Sequence, residues 1–374
     1  MSTVQTTHND IAIIGGGIAG LSLAIQCARA GINTVVFEKG TYPRHKVCGE
    51  YISHESTPFL QELGIPVDEM QLPQIDTFRL TSHHGISKEC KLQPGGFGLS
   101  RFTLDHLLAK EAMRLGVTLK SGTRVTDVRG TLSEGYEVHT NQSTSERFKL
   151  AVGAWGRQSF VSAKREEKTK NAWIGIKYHV DAGPAEDTIE IHAFPKGYAG
   201  ISMVEEGKFC LAYLCRADAL KASGNDIARL EEEILSSNPY LAKRLSARKL
   251  EGPIATSRLT FGVGAQGDLS TLGDAAGFIP PLTGNGMSLA LRGSKRMFAT
   301  ISHLMEGKLD EQAYHQQIET YKNTYLRRRI IQGEFLQNFL IIKPDWLNAL
   351  MLKAIVHTPF ALKKMTTLAV GKTI

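Results

Sequence analysis

The stretch Asp10–Glu38, DIAIIGGGIAGLSLAIQCARAGINTVVFE, decides the fold of this 374-residue chain. A short apolar run enters a turn in which Gly15, Gly17 and Gly20 fit the pattern G-x-G-x-x-G. An apolar helix pattern follows, and a second, β-branched run ends at Glu38. This order predicts a strand, a glycine turn, a helix and a parallel strand that ends in an acid.

Each part of this unit suits a dinucleotide. Gly15 permits the tight turn, Gly17 lets a pyrophosphate approach the backbone, and Gly20 lets helix and strand pack closely. The start of the helix offers free N–H groups to phosphates, and Glu38 stands where an acid reaches a ribose hydroxyl. An acid here, rather than Arg or Lys, favours FAD or NAD over NADP. An ordinary βαβ unit would not explain three such glycines together with the terminal acid.

Composition and cysteine usage narrow the class of protein. The apolar fraction of 42% and the charged fraction of 22% are ordinary for a globular chain long enough for two domains. The net charge of +7 fits an anionic cofactor or a membrane surface better than nucleic acid, because no nucleic-acid motif is present. Five irregularly spaced cysteines predict no metal site and a reducing, cytoplasmic compartment. Neither a signal peptide nor a transmembrane helix is predicted.

A second informative stretch, Thr271–Ser294, reads TLGDAAGFIPPLTGNGMSLALRGS. It predicts a strand that ends at Asp274, a rigid proline loop, and a helix that begins after a second glycine turn. The start of that helix predicts a second electropositive pocket. Another triplet, Gly262, Gly264 and Gly267, also fits G-x-G-x-x-G. No helix pattern follows this triplet, so we interpret it as a turn-rich loop and not as a second nucleotide site.

The loop after the ribose-binding acid, residues 39–53, carries several basic residues beside Cys48. It either borders the phosphates or the reactive ring, or is a solvated basic surface, and the residues alone leave both readings open. Patterns of paired strands follow at 75–98 and 173–215, and the tail from residue 301 is helical by pattern. We favour packing of this tail on the core; a lid over an apolar substrate or a membrane contact is the alternative.

With both glycine stretches in place, the chain resembles the single-component FAD-dependent oxidoreductases of the para-hydroxybenzoate-hydroxylase fold, and it is most similar to the geranylgeranyl reductase family. The resemblance covers about residues 8–300 and is carried by Gly15–Gly20 with Glu38, Pro43–Glu50, Arg101 with Leu104-Asp105, Gly273–Gly277 and Gly284–Gly286. It implies an α/β fold, with a Rossmann-like FAD-binding domain, an inserted antiparallel-sheet substrate domain and a helical C-terminal tail. The implied boundaries are 1–74, 99–170 and 255–300 for the discontinuous FAD-binding domain, 75–98 and 171–254 for the sheet domain, and 301–374 for the tail.

The resemblance also implies how FAD is held. The three glycines would hold the pyrophosphate and Glu38 the adenosine ribose. Arg101 would reach the phosphates or the ribityl chain, and Asp274 the ribityl chain or the pyrophosphate. Backbone N–H groups near Gly286 and Met287 would bind the polar edge of the flavin ring. The predicted cofactor-binding set is Gly15, Gly17, Ile18, Ala19, Gly20, Glu38, Lys39, Arg44, Cys48, Gly49, Arg101, Val125, Asp274, Pro281, Gly284, Asn285, Gly286 and Met287.

The candidate catalytic residue is Cys48. In this family the loop Lys46–Glu50 lies near the flavin, so the Cys48 thiol could donate a proton there. A merely buried cysteine is the competing interpretation. The family usually has Asp in the stretch Gly153–Ser159, where this chain has Trp155, and the usual NAD(P)H contact therefore lacks its Asp. The tryptophan-containing motif of the flavin halogenases is absent, which disfavours halogenation.

The implied function is that of an FAD-dependent oxidoreductase, with NAD(P)H as a transient electron donor. Reduced flavin would pass a hydride to a carbon–carbon double bond of an apolar substrate of isoprenoid or polyketide type. The alternative is a monooxygenase that hydroxylates an aromatic or polyketide substrate, and no single residue separates the two reactions. A non-catalytic flavin-fold binding protein is disfavoured by the intact glycines, Glu38 and Asp274. The predicted partners are an apolar small molecule and, through the tail, a membrane surface, but not nucleic acid.

Overall fold

Two large β-sheets organise the chain. The computed structural model describes residues 9–157, 172–247, 249–264, 269–341, 349–350, 352–354 and 358. The strands are β1 (Asn9–Ile14), β2 (Thr34–Glu38), β3 (Tyr51–Ser53), β4 (Gln74–Ser82), β5 (Ser87–Gly98), β6 (Thr118–Ser121), β7 (Val125–Thr131), β8 (Gly135–Thr140), β9 (Ser145–Gly153), β10 (Trp173–Val180), β11 (Thr188–Phe194), β12 (Gly197–Met203), β13 (Phe209–Arg216), β14 (Lys249–Leu259), β15 (Gly262–Val263), β16 (Ser270–Thr271) and β17 (Gly277–Phe278).

Helices cover the sheets and form the C-terminal part of the described chain. The α-helices are α1 (Ile18–Arg29), α2 (Thr57–Glu62), α3 (Arg101–Arg114), α4 (Ala217–Ala222), α5 (Ile227–Glu233), α6 (Pro239–Leu245), α7 (Gly286–Met305), α8 (Glu311–Thr320) and α9 (Arg327–Leu340). A π-helical turn, Tyr321–Leu326, joins α8 to α9. Short 3-10 turns lie at His54–Ser56, Glu205–Gly207, Leu235–Ser237, Gly273–Ala275 and Pro281–Thr283. None of the described helices is long and apolar enough to cross a membrane.

The first sheet contains the predicted βαβ unit. Its strand order is β6-β2-β1-β9-β8-β7, with β16 paired to β9. β1 lies parallel to β2 and to β9, with Ile13 opposite Val36 and Val152. These apolar residues are fully buried because helices or sheet neighbours cover both faces, which is typical of a central parallel strand. Asp10–Glu38 therefore forms the predicted strand, helix and parallel strand, and β1 and β2 lie inside this sheet.

The second sheet is mostly antiparallel and has the order β14-β10-β13-β12-β11-β4-β5-β3. Its two faces differ because side chains alternate along each strand. On β10, Ile176 and Tyr178 join an apolar cluster with the short helices α4 to α6. The opposite face carries Lys177 and His179 and is turned towards the loop that contains Glu50. This face delimits the cavity described below.

The α/β fold class, the antiparallel sheet and the helical tail predicted from the sequence are confirmed. Gly262 lies in a short antiparallel ribbon, β15 with β17, and not at a helix start. Gly267, Ser159 and most of the tail beyond residue 341 lie outside the described residues. The domain boundaries stay a prediction.

Candidate cofactor site

The glycine turn between β1 and α1 tolerates no side chain at two of its positions. Gly15 has a φ of +116°, and a β-carbon there would lie 2.3 Å from the carbonyl oxygen of Ala154. A β-carbon at Gly20 would lie 2.0 Å from the carbonyl oxygen of Gly15. Both glycines are thus required by close backbone packing, which brings the end of β1 against the start of α1 and the residue after β9.

The start of α1 is open to an anion. Gly17 is the N-cap residue, no side chain caps the helix, and its first turn contains no acid. A β-carbon at Gly17 would lie 3.3 Å from Nζ of Lys46 and 3.9 Å from Nη2 of Arg101. Two cations therefore flank free backbone N–H groups at the positive end of a helix dipole, an arrangement that suits a diphosphate. Arg101 was predicted here; Lys46 was not, although the basic loop that carries it had been singled out.

A buried carboxylate holds these two cations in place. Asp105 is fully buried and binds Nε and Nη2 of Arg101, each at 2.8 Å, while Nζ of Lys46 lies 3.4 Å away. Burial alone would raise the pKa of Asp105, but Arg101 and Lys46 leave that pKa below its usual value. Burial lowers the pKa of Lys46 to about 8, with Asp105 opposing this shift and Arg101 reinforcing it. Since one carboxylate serves two cations, the cluster keeps net positive charge for an anion.

Glu38 lies at the end of β2, where the ribose-binding acid was predicted. Its carboxylate accepts hydrogen bonds of 2.8 Å from the backbone N–H groups of Gly16 and Gly40, and it pairs with Nη2 of Arg44 at 2.8 Å. Burial opposes ionisation, but the charges of Arg44 and Lys46 lower the pKa of Glu38. The carboxylate is ionised and orders the glycine turn. Arg44, predicted as a cofactor ligand, contacts Glu38 directly.

One cavity of about 840 Å³ joins these groups to the rest of the predicted set. Every predicted cofactor-binding residue lines it except Gly20 and Asn285. Gly20 lies beneath the turn, and Asn285 is the buried N-cap residue of α7. The part lined by the turn of β1, the Arg44–Glu50 loop, Arg101 and Asp274 is called the charged half below.

Contacts between distant segments complete the charged half. A β-carbon at Gly273 would lie 2.8 Å from the β-carbon of Ala19, so the turn that carries Asp274 abuts the start of α1. The Ser56 hydroxyl donates a hydrogen bond of 2.8 Å to the Ser288 hydroxyl, which ties the segment after Cys48 to the first turn of α7. The two stretches that the sequence singled out therefore face one space.

Two further residues enter the site near Asp274. Nε of Arg157 lies 3.9 Å from the Asp274 carboxylate, and its guanidinium lies 4.8 Å from the centre of the Phe278 ring. Burial raises the pKa of Asp274, and the Arg157 and Arg101 charges oppose that rise. Trp155, in place of the usual Asp, folds back onto Gly153 and lines the cavity. Arg157 was missed because the GAWGRQS turn gave no spacing that marks a ligand.

Cys48 lies in the cavity wall, half-buried. Its sulfur accepts a hydrogen bond of 3.4 Å from the backbone N–H of Glu50. Burial raises the pKa of the Cys48 thiol, with a smaller opposing effect of Arg101. The thiol is therefore protonated at neutral pH, and it can hold a proton but is not a thiolate nucleophile.

The remainder of the cavity, called the apolar half below, is lined by one face of the second sheet and by α9. The lining side chains are Phe78, Leu80, Leu92, Ile189, Ile191, Tyr198, Leu214, Leu259, Phe278, Leu282, Leu336 and Leu340. Residues two apart on β4 (Phe78 and Leu80) and on β11 (Ile189 and Ile191) recur in this set because they share a face. Tyr198 donates a hydrogen bond of 3.2 Å to the side-chain oxygen of Gln337, which fastens α9 over this face.

Known proteins with similar sequences include reductases and a flavin-dependent halogenase. Residues 10–46 match the family described as FAD dependent oxidoreductase. The chain is 28% identical to a digeranylgeranylglycerophospholipid reductase of Methanococcus vannielii, over 75% of this chain and 74% of that protein. It is 26% identical to conditioned medium factor receptor 1 of Dictyostelium discoideum, over 85% of this chain and 68% of that protein.

Solved structures share the fold over nearly the whole chain. The flavin-dependent brominase Bmp2 superposes with a TM-score of 0.76 at 19% identity, covering 97% of this chain and 93% of its own. A geranylgeranyl bacteriochlorophyll reductase-like protein of Thermoplasma acidophilum gives a TM-score of 0.73 at 18% identity, covering 96% and 98%. The resemblance to FAD-dependent oxidoreductases, the enzyme prediction and the FAD prediction are confirmed. Because similar proteins include reductases and halogenases, the comparisons leave the reaction open.

Proposed function

We propose that this FAD-dependent oxidoreductase reduces a carbon–carbon double bond of an apolar substrate of isoprenoid or polyketide type. The observation that carries the proposal is the apolar half of the cavity, which is continuous with the charged half. A long hydrocarbon could lie along the sheet face formed by residues such as Leu80, Ile191 and Leu214 while its double bond reaches the end near Cys48. The name of the Methanococcus vannielii relative, a reductase of a prenylated lipid, supports this substrate class.

Bound FAD would supply the hydride chemistry, and the chain's own residues would bind and orient it. The start of α1 with Arg101 and Lys46 would hold the diphosphate. Glu38 would bind the ribose with the oxygen lone pairs that Gly16, Gly40 and Arg44 leave available. The start of α7, at Gly286, would direct its N–H groups to the polar edge of the flavin.

Addition of two hydrogens to a double bond requires a proton as well as a hydride. The Cys48 thiol is the group we propose to supply that proton, since it lines the cavity and stays protonated at neutral pH. The Lys46–Glu50 loop that carries Cys48 belongs to the charged half and packs against the second sheet, one face of which lines the apolar half. Solvent would restore the proton after each turnover.

We further propose NAD(P)H as a transient electron donor. No second nucleotide-binding helix start occurs at Gly262 and Gly264 in the described residues, so the donor would visit the same cavity. Trp155 offers a flat aromatic surface there in place of the usual carboxylate. Its replacement by Asp would shift the Michaelis constant for NAD(P)H and leave FAD binding intact.

A membrane surface is proposed as a second partner, through α9. The buried side of this helix lines the apolar half, whereas Ile331 and Phe335 on its outer side are 57% and 70% exposed, with exposed Arg327 and Arg328 one turn before them. Apolar and basic groups on one helix face suit an anionic lipid surface.

Product mass with and without oxygen tests the proposed reaction. FAD-loaded protein is reduced with NADPH or dithionite and incubated with a geranylgeranyl glycerolipid, under nitrogen and under air. We expect a gain of two hydrogens per reduced double bond under nitrogen, and none without reductant. An oxygen-dependent gain of one oxygen atom, with no anaerobic product, would overturn the reductase proposal in favour of the monooxygenase.

A further inference from the structure

A fully buried ionic cluster lies behind the loop that carries Cys48. The carboxylate of Glu50 binds Nζ of Lys177 through one oxygen and accepts a hydrogen bond of 2.9 Å from Nε2 of His179 through the other. Glu50 and Lys177 have no exposed surface, and His179 has very little. Lys177 and His179 project from β10, whereas Glu50 precedes β3. A buried pair of this kind is costly unless each charge is fully partnered.

The same sheet also fixes the loop by neutral contacts. The Cys210 thiol of β13 donates a hydrogen bond of 3.3 Å to the carbonyl oxygen of Cys48. A β-carbon at Gly175 of β10 would lie 2.8 Å from a methyl of Val47, so only glycine lets the loop pack this closely. Cys48 therefore lies between two residues of the loop, Val47 and Glu50, that both contact the second sheet.

Glu50 also contacts the helix that carries Arg101. Its Oε1 accepts a hydrogen bond of 2.7 Å from the backbone N–H of Arg101, the first residue of α3. The Arg101 side chain lies at the start of α1. One carboxylate therefore joins the sheet of the apolar half, the Cys48 loop and the helix that supplies a phosphate-binding cation.

We infer that Glu50, Lys177 and His179 form a positioning unit that seats the Cys48 thiol at the junction of the two halves and sets its electrostatic surroundings. The inference rests on the proposed function only for the use made of that thiol. The charged and titratable groups that act on Cys48 come from every side: Glu50 on its own loop, Lys177 on β10, Cys210 on β13, Arg101 on α3 and Arg157 after β9.

The proposed unit predicts the direction in which each substitution shifts the pKa of the Cys48 thiol. The negative charge of Glu50 raises the pKa of the Cys48 thiol, and the positive charge of Lys177 lowers it. Glu50→Gln removes the first effect, and Lys177→Met removes the second. If the unit only stabilised the fold, both variants would have a lower free energy of unfolding. The pKa of the Cys48 thiol would then not shift in opposite directions in the two variants.

The experiment follows alkylation of Cys48 by iodoacetamide against pH in the FAD-loaded protein, with the modified peptide quantified by mass spectrometry. We expect the midpoint to move to lower pH in E50Q and to higher pH in K177M, by about one pH unit each. Lys177→Arg keeps the cation and should restore the midpoint. Cys90 in the same samples is the internal reference.

Glu190→Gln is the matched control. Glu190 is also a buried carboxylate, held by Arg244 at 2.7 Å and near His192 at 3.2 Å, but it lies on the other face of the same sheet. The Glu190→Gln substitution should lower the free energy of unfolding without shifting the pH dependence of Cys48 alkylation. Profiles that coincide with wild type in E50Q and K177M, or that move equally in E190Q, would overturn the inference. Because alkylation needs no turnover, failure of the double-bond chemistry would leave this result unaffected.

Discussion

The charged and apolar halves of the cavity are built by opposite means. The charged half depends on single residues in fixed backbone settings, such as Gly15 at a φ of +116° and Asp105 with two cations. The apolar half is a broad surface to which many side chains each contribute a little. A single substitution in the charged half should therefore abolish FAD binding. Substitutions in the apolar half should lower kcat/KM by degrees.

The largest expected effect is that of Gly15→Val. The side chain would meet the Ala154 carbonyl at 2.3 Å in a backbone conformation that branched residues avoid. We expect loss of bound FAD and a destabilisation of several kcal/mol, measured by the ratio of flavin to protein absorbance and by thermal unfolding. Gly31→Ala is the control, since Gly31 also has a positive φ but no atom within 4 Å of the added carbon. Retention of FAD by Gly15→Val would contradict this role.

Next in size is Arg101→Met. It removes a cation that we propose binds the phosphates, and it leaves the buried Asp105 with Lys46 as its only remaining cation among its described contacts. We expect FAD affinity to fall about 100-fold, measured by fluorescence titration, with a stability loss of about 3 kcal/mol. Arg114→Met, on the same helix but in an exposed pair with Glu111, should change affinity by less than about twofold. Equal affinities for the two variants would refute the assignment.

Gly200 offers a graded test in the apolar half. It lines the cavity on β12, and an added β-carbon would lie 3.3 Å from Ile191. We expect Gly200→Ala to lower kcat/KM for a prenylated substrate about threefold and Gly200→Leu more than tenfold, as the side chain fills the space for hydrocarbon. FAD content should stay at the wild-type level in both. A simultaneous loss of FAD would show that the two halves are not separable.

The contrast between the halves explains what could be predicted from sequence. The charged half is encoded by short motifs, because a dinucleotide needs glycines, a helix start and an acid at fixed spacing. Gly15 and Glu38 could thus be named from this spacing, and Arg101 and Asp274 from the resemblance to the family; the structure brings all four to one cavity. The residues that line the apolar half share no spacing, because they come from separate strands and from α9.

Lys46 and Lys177 show a second limit. A lysine in a loop and a lysine on a strand look alike in a sequence, and their roles depend on partners that are distant along the chain. Lys46 lies 3.4 Å from Asp105, and Lys177 binds Glu50 at a separation of 127 residues. The Lys177–Glu50 pair is recognised only in the structure, where β10 packs against the Lys46–Glu50 loop. Motifs predict where a cofactor binds, whereas ion pairs such as these depend on tertiary contacts that the sequence pattern does not reveal.

A more gradual effect is a pH dependence of FAD affinity that is due to Lys46. Its pKa in the free protein is lowered to about 8, so below pH 8 the ammonium is already charged and affinity should be independent of pH. Above pH 8 the free lysine is neutral, and pairing with a diphosphate requires uptake of a proton. Affinity should therefore fall as pH rises, by at most about tenfold per pH unit and by about three- to tenfold between pH 7.5 and 9. Titration of apoprotein with FAD across this range measures the slope. Lys46→Met should have lower affinity at pH 7 and no such slope; a slope that persists in this variant would assign the titration to another group in the charged half.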